Sequence, residues 1–505
     1  MREKKMNRRK FMKISGSTVL GTGLAAGGLI SGSKKAEAAS LPDKWDETVD
    51  VVVIGTGFAG TAAAIDAKKA GARTVVFEKM RLPGGNSAIN GGLIACACSK
   101  LQEKHGIKDS PDLLLKDMVK AGLGLNNPEL VRIVAEKSRE VIDWSEEVLG
   151  VEYRPEVVHL GGHSVARSLK TKEGSGAAFI KPALKKLKEL GVPVRTRVMV
   201  SKYVVDEKGR VQGVMIREGY KFPDPNSGTV KYVKARKGVI VAAGGFGYDV
   251  RFRELQDPRL GGDVACTNQP GATADALIEL LRLGATPIQL CWIQSGPWGN
   301  PKEKGVGIGA LFNLRNFMHG LMVDPATGKR FVNELADRRI RAEAIFATGH
   351  TCLSIVDSEG VKTYAHYIEK ALAKGVVKKF DTLEGLAKEF KVPWKAFKAQ
   401  VDRFNKFVLA KEDSEFGKPI PKDDKPVQKG PFYVCFAWPK VHHCMGGVEI
   451  NKNAQVIDLE GKIIPGLYAA GEVTGGIHGA CRLGSNAFLD CIVFGRIAGQ
   501  HASGA

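Results

Sequence analysis

The chain has 505 residues, of which 44% are hydrophobic and 26% charged. That ordinary globular usage excludes a disordered, collagenous or coiled-coil protein and suggests two or three domains. Sixty glycines without a collagen-like period point to tight turns and close backbone–ligand approaches, and nine scattered cysteines without a CxxC exclude a zinc ribbon, a thioredoxin-type site and covalent haem attachment. The net charge of +21 would suit an acidic partner or an anionic surface. The basic residues are dispersed and not interleaved with aromatics, so nucleic acid is not expected as a partner.

The first forty residues carry part of that charge. Residues 7–13 read NRRKFMK, an uncharged Gly- and Ala-rich stretch runs from Ile14 to Ser33, and Ala36-Glu37-Ala38 is a small-x-small cleavage site. This order predicts a twin-arginine export signal over 1–38 and a periplasmic protein. Cleavage removes nine basic and two acidic residues and lowers the net charge from +21 to +14. No later segment approaches 18 apolar residues in a row, so the mature form is not expected to span a membrane.

A nucleotide site follows. Val51–Ile54 is a continuous apolar run, as in a parallel strand buried on both faces. Gly55, Gly57 and Gly60 stand in GxGxxG spacing, with Ala59 between them, and Thr61–Ala70 reads as a small-residue helix. A second strand, Thr74–Phe77, ends at Glu78 and Lys79. The first glycine suits the tight turn, the second a close pyrophosphate, and the third helix–strand packing. The helix N-terminus would face the phosphates, and Glu78 lies at the distance of a ribose-binding acid.

Three further segments distinguish the nucleotide. Residues 84–92 read GGNSAINGG, with Gly85, Asn86, Ser87, Gly91 and Gly92; residues 241–247 read VAAGGFG, with Ala243 and Gly244, after a strand at Gly238–Val241; residues 464–475 read IPGLYAAGEVTG, with Gly471 and Glu472. Together they resemble FAD-binding flavoproteins of the glutathione-reductase type. TNQPGATADA at 267–276, with Thr267, Asn268 and Asp275, VHHCMGG at 441–447, and GEVTGGIHGACRLGSNAFLD at 471–490 sharpen the likeness. Over residues 48–505 the chain resembles the soluble fumarate reductase and flavocytochrome c flavoprotein family.

The resemblance implies an α/β fold: a Rossmann-like FAD-binding domain of glutathione-reductase type, 48–290 and 442–505, with an inserted α+β capping domain, 291–441. Helical periodicity within 360–410 and a polar, Pro- and Lys-rich stretch over 411–430 agree with it. The family holds FAD covalently in some members and non-covalently in others; here non-covalent FAD is expected, since the Asn86–Ser87 region offers no histidine for a covalent link. Family chemistry is reduction of a carbon–carbon double bond conjugated to a carboxylate, with hydride from flavin N5 and a proton from an arginine. Carried over by motif, His442 and Arg482 bind the substrate carboxylate, and Arg338, four residues after Glu334, donates the proton. His443 approaches the flavin through its backbone. Glu472 serves the ribityl or pyrophosphate region. Ser485, Asn486, Ala487 and Leu489, at the start of the last helix, bring amides to the flavin, where a positive helix end favours the reduced anion.

The sequence departs from fumarate reduction. The family's Q-x-H-P-T segment reads WIQSGPWG here, with Gly296 for the histidine and Trp298 for the threonine. LFNLRNFMHG at 311–320 lacks the threonine–glutamate pair, and Asn313 falls opposite the family's relay glutamate. Trp292, Trp298, Phe312 and Phe317 are expected to line the vacated space, where an unpaired carboxylate would be costly. The expected substrate is therefore an α,β-unsaturated monocarboxylate such as an acrylate, methacrylate or cinnamate. Arg315, Asn313 or water is expected to replace the relay glutamate. One alternative is a fumarate reductase whose second anion site is rebuilt, for instance from His163 and Arg167. Another is an oxidative enzyme like the ketosteroid dehydrogenases, which need no carboxylate clamp of Arg482, His442 and Arg338. Without haem motifs, electrons are expected from a separate c-type cytochrome or a quinol-linked donor in anaerobic respiration.

Overall fold

The structure, a computed structural model, describes residues 39–504, with the backbone alone over 363–367. The expected export signal, 1–38, lies outside the described residues.

The first strand, β1 (Glu47–Ile54), has Val51–Ile54 buried on both faces, as a central parallel strand requires. The chain turns at Gly55, where φ is +102° and a Cβ would sit 2.3 Å from Ala242 O; only glycine fits. Helix α1 (Phe58–Lys69) starts three residues before the expected Thr61, because Ser87 Oγ accepts from Phe58 N at 3.0 Å and fixes the first turn. The next strand, β2 (Thr74–Glu78), runs parallel to β1 with Val52 opposite Val75. On the other side of β1 lies β3 (Thr229–Val241), with Val239 opposite Val52. It is much longer than the expected Gly238–Val241. Its first half alternates in burial and pairs with Val211–Glu218 in an antiparallel arm, so it lacks the apolar run of the second half.

The chain then builds a second sheet. Its members are β4 (Ile293–Gly299), β5 (Cys352–Val356), Val377–Phe380 and the thirteen-residue β6 (Phe432–Cys444), with which the first three pair antiparallel, and Leu321–Val323, which pairs antiparallel with β5. Two helices flank it, α2 (Gly307–His319) and α3 (Arg338–Thr348). The periodic stretch expected over 360–410 holds helices Ala365–Ala373, Leu383–Glu389 and Trp394–Ala410. β6 runs through 441/442, where the two parts were expected to meet, and its end carries His442 and His443.

A buried ion cluster fixes the entry to α3. Arg330 donates to Glu334 at 2.9 and 2.8 Å and to Asp413 at 2.9 Å, tying the 411–430 loop to the turn before Arg338. All three side chains are out of solvent, so each charge depends on the others.

The chain returns to the parallel sheet as β7 (Ile463–Ala469), with Tyr468 opposite Ile240 of β3. It ends in α4 (Asn486–Ser503), which lies against α1 at a spacing only glycine permits. A Cβ at Gly495 would be 2.5 Å from Ala59 O, and one at Gly499 would be 2.3 Å from Ala63 O. The largest core lies between the parallel sheet and its helices. Separate clusters around Phe397 and Phe404, and around Trp298 and Phe317, hold the second sheet. The α/β class with an added antiparallel layer is the one the sequence leads one to expect.

Candidate active site

A cleft of about 930 Å³ opens at the carboxyl ends of β1, β2 and β3. This is the usual ligand position of such sheets. Gly55, Gly57, Ala59, Glu78, Lys79, Gly85, Asn86, Ser87, Ala243, Gly244, Asp275, Gly471 and Glu472 line it. The N-cap of α1, Gly57, has no side chain to cap it, and Ser87 takes only the Phe58 amide, which leaves the rest of the positive end for an anion. The Glu78 carboxylate accepts from Thr56 Oγ1 at 2.5 Å and from Met80 N at 2.9 Å, which aims it along the wall. Lys79 and Asp275 pair at 3.0 Å on the rim. Thr56, Val198–Val200, Gln269, Thr273 and Cys491 also line the cleft and were not expected there. Thr273 lies inside the TNQPGATADA motif and was legible; the Val198–Val200 strand carries no motif.

Other expected cofactor residues stand behind the wall rather than in it. Gly60 allows the closest approach, since its Cβ would lie 2.0 Å from Gly55 O. Gly91 and Gly92 turn away from the cleft, and a Cβ at Gly92 would meet Thr171 Oγ1 at 2.3 Å. Thr267 and Asn268 face His442: Thr267 Oγ1 is 2.7 Å from its Nδ1, and Asn268 Nδ2 donates to its carbonyl at 2.9 Å. Ser485 Oγ is spent on Ser168 Oγ at 2.7 Å, and Asn486 Nδ2 donates to Gly484 O at 3.1 Å. Ala487 is half-buried, and Leu489 is core.

FAD fits this cleft. Glycine turns and the N-terminus of α1 line it, and beside its Glu472 wall His443 Nε2 is a buried polar atom without a protein partner, which a polar ring edge would satisfy. His443 Nδ1 lies 3.3 Å from Glu472 Oε1, which also accepts from Cys444 N at 2.9 Å. Burial pushes the Glu472 carboxyl up to about 7 despite the opposing Cys444 amide and the charge of Arg482.

Beside Glu472 the structure gathers the three expected catalytic residues from three elements: Arg338 opens α3, His442 ends β6, and Arg482 lies in the loop before α4. Arg482 is buried, and burial together with the charge of Arg338 pushes its guanidinium down to about 9. Burial also lowers Arg338, and its Nη1 has no partner. Burial first, and then both arginines, holds His442 well below the ordinary histidine range, so the imidazole is neutral. We assign the Thr267 hydroxyl proton to His442 Nδ1, the shorter of its two contacts, which places the imidazole proton on Nε2. Among the described residues no carboxylate lies within ion-pair distance of Arg338 or Arg482.

The departures take a definite form. A Cβ at Gly296 would meet Trp298 Cζ2 at 3.0 Å and Arg338 Cβ at 3.5 Å. The indole has taken the space in which a histidine would stand. Trp298 is fully buried, and Arg341, passed over in the sequence, stacks its guanidinium 3.8 Å above the ring. Phe312 and Phe317 do not line a pocket: Phe312 packs against Val356 and Val377, and Phe317 against Met322 and Ile345. Trp292 is half-buried. Asn313 is not a relay, because its amide donates to the carbonyls of Trp298 at 3.2 Å and Phe436 at 2.8 Å. Arg315 is exposed on the outside of α2. Arg167 is fully buried against Asp109 at 3.0 Å and Asp117 at 3.1 Å. His163 bonds Gly484 O at 2.9 Å, and burial pushes it down to about 4. A charge-satisfied arginine and a neutral histidine do not make a second anion site.

Comparison with known proteins agrees with this geometry. Residues 50–488 match the family model described as FAD binding domain. The chain is 44% identical over 503 residues to the acrylate reductase flavoprotein subunit of Shewanella woodyi, covering 98% of both chains. It is 35% identical over 474 residues to a cytochrome-type fumarate reductase of Shewanella frigidimarina, covering 93% of this chain and 80% of that one. It superposes on the open conformation of a flavocytochrome c3 fumarate reductase with a TM-score of 0.77 at 32% identity, over 91% of this chain and 79% of that one. The chain therefore belongs to the FAD binding domain family and is a FAD-dependent oxidoreductase of the fumarate and enoate reductase group.

Proposed function

We propose that the protein reduces the carbon–carbon double bond of a small α,β-unsaturated monocarboxylate of the acrylate type. The observation that carries this reading is the indole of Trp298 in the space beside Gly296 and Arg338. One end of the site is strongly cationic, and at the other the indole stands where the family's histidine for a second carboxylate would be. The 44% identical relative is itself named an acrylate reductase subunit.

FAD, when bound in the cleft, supplies hydride-transfer chemistry. The protein's own groups do the rest. Arg482 and the Nε2–H of neutral His442 hold the substrate carboxylate. Their fixed positive field stabilises the negative charge that builds on the enoate during reduction. Arg338 then donates a proton to the substrate carbon. Arginine is ordinarily too weak an acid for this. Here burial without a counter-carboxylate and repulsion from Arg482 disfavour the charged form, so the proton is given up more readily. Trp298 keeps water from the apolar end of the substrate.

FAD is held non-covalently in this reading. The Asn86–Ser87 wall offers no histidine, and the Cys491 thiol is kept protonated by burial. The mature protein is periplasmic, begins at Ala39, and takes electrons from a separate c-type cytochrome or quinol-linked donor. A chain starting at Ala39 keeps that residue's bonds to Tyr203 O at 3.1 Å and from Val205 N at 3.2 Å. Among the described residues no helix is long and apolar enough to cross a membrane. Protein purified from a periplasmic extract should begin at Ala39 and should release all of its FAD on acid precipitation; flavin remaining in the pellet would show a covalent bond.

The decisive test is reoxidation of the dithionite-reduced flavin, followed by absorbance, against fumarate, acrylate, methacrylate, cinnamate and urocanate. Small monocarboxylates should reoxidise it rapidly and fumarate should not. Rapid reoxidation by fumarate would mean that a second anion site exists elsewhere, and the specificity argument would fall.

A further inference from the structure

Arg338 needs a new proton after every turnover, and the groups expected to supply it do not reach it. Asn313 is tied to backbone carbonyls and Arg315 is outside. The Glu334 carboxylate is held by Arg330 at 2.8 and 2.9 Å. Asp337 caps α3, accepting from Ile340 N at 2.9 Å. One titratable group remains on the face of α3 that carries Arg338. Arg341 lies three residues on, one turn away on the same side. Its Nη1 donates to the Glu334 carbonyl at 2.9 Å, its plane lies on Trp298, and its Nε is buried without a partner. These contacts hold the guanidinium in one pose beside Arg338 and provide it with no carboxylate.

We infer that Arg341 is a positioning residue that returns the proton to Arg338 between turnovers, a role that rests on the enoate reductase reading above. The steps balance. The Arg338 N–H bond breaks as the substrate C–H bond forms, leaving a neutral guanidine. An N–H bond of Arg341 then breaks as one on Arg338 forms, and neutral Arg341 is recharged by hydronium from the solvent, whose O–H bond breaks to leave water. The charged groups that face Arg341 are Arg338 on its own helix, and Asp337 and Glu334 before it; the Cys481 thiol faces it from the Arg482 loop. Burial first, and then Arg338, presses Arg341 down to about 9, so it can part with a proton and still be recharged near neutral pH.

This role separates one turnover from many. In Arg341→Met with FAD bound, reoxidation of pre-reduced flavin by one pulse of acrylate should stay within about threefold of wild type, because Arg338 starts charged. Steady-state kcat with reduced viologen as donor should fall about 100-fold with little change in KM. Arg341→Lys should recover much of kcat and move the alkaline limb of its pH profile. Equal loss in the single pulse and the steady state in both variants would overturn the inference, as would an unchanged kcat or a rise in KM alone. Wild-type flavin that no enoate reoxidises would overturn the functional reading, and this inference with it.

Discussion

Arg338→Ala should reduce enoate turnover by about 10²- to 10⁴-fold, the range for loss of a positioned general acid, while FAD content stays at wild-type level. The cofactor cleft is lined by other residues, so its occupancy does not depend on this side chain. The thermal midpoint should hold or rise. Arg338 is a buried cation without a counter-carboxylate, and its charge also burdens His442, Arg341 and Arg482. Activity and stability should thus move independently, which rules out unfolding as the cause of lost turnover. Flavin absorbance per chain, a melting curve and kcat together check this. Retention of most activity would remove Arg338 from the proton-donor role.

Arg482→Ala should lower kcat/KM by about 10³-fold, or roughly 4 kcal/mol, as expected when one partner of a desolvated charge pair is truncated. Both KM and kcat should suffer, because the carboxylate is held in the ground state and the enoate gains charge in the transition state. The same guanidinium sets a pH limit. Its folded value lies near 9, below the ordinary arginine range, so the free enzyme loses this cation as pH rises through about 9. The wild-type kcat/KM should fall on that limb, since His442 is already neutral and cannot replace the charge. A flat profile to pH 10 would show that Arg482 does not act as a charged clamp.

The nucleotide cleft was legible because its determinants are local. Val51–Ile54, the glycine turn and Glu78 form one continuous strand–turn–helix–strand unit whose order fixes the geometry. Arg338, His442 and Arg482 were legible only through long motifs, since three distant segments bring them together. What failed shares one cause. Whether an aromatic lines a pocket or fills a core depends on what lies across from it. Phe312 and Phe317 turned out to face the second sheet. Thr267 and Asn268 lie in a motif close to the cofactor, yet their side chains support His442, and spacing does not encode that direction. Arg341 was hidden among Arg338 and Arg339 as one more charge on a basic helix start. Its importance comes from Trp298, 43 positions earlier in the chain.

The glycine contact between α1 and α4 bears on the order of biosynthesis. Ala59 and Ala63 sit directly against Gly495 and Gly499, and the wall of the cleft runs from Ile54 to Cys491. The first helix of the nucleotide motif can pack early against Phe179, but it lacks its α4 partner until the segment carrying Gly495 and Gly499 has been made. A nascent chain already carries the fingerprint for its cofactor but not the opposing wall. FAD loading is then expected to await the docking of α4, and export of the loaded protein would have to carry it already folded.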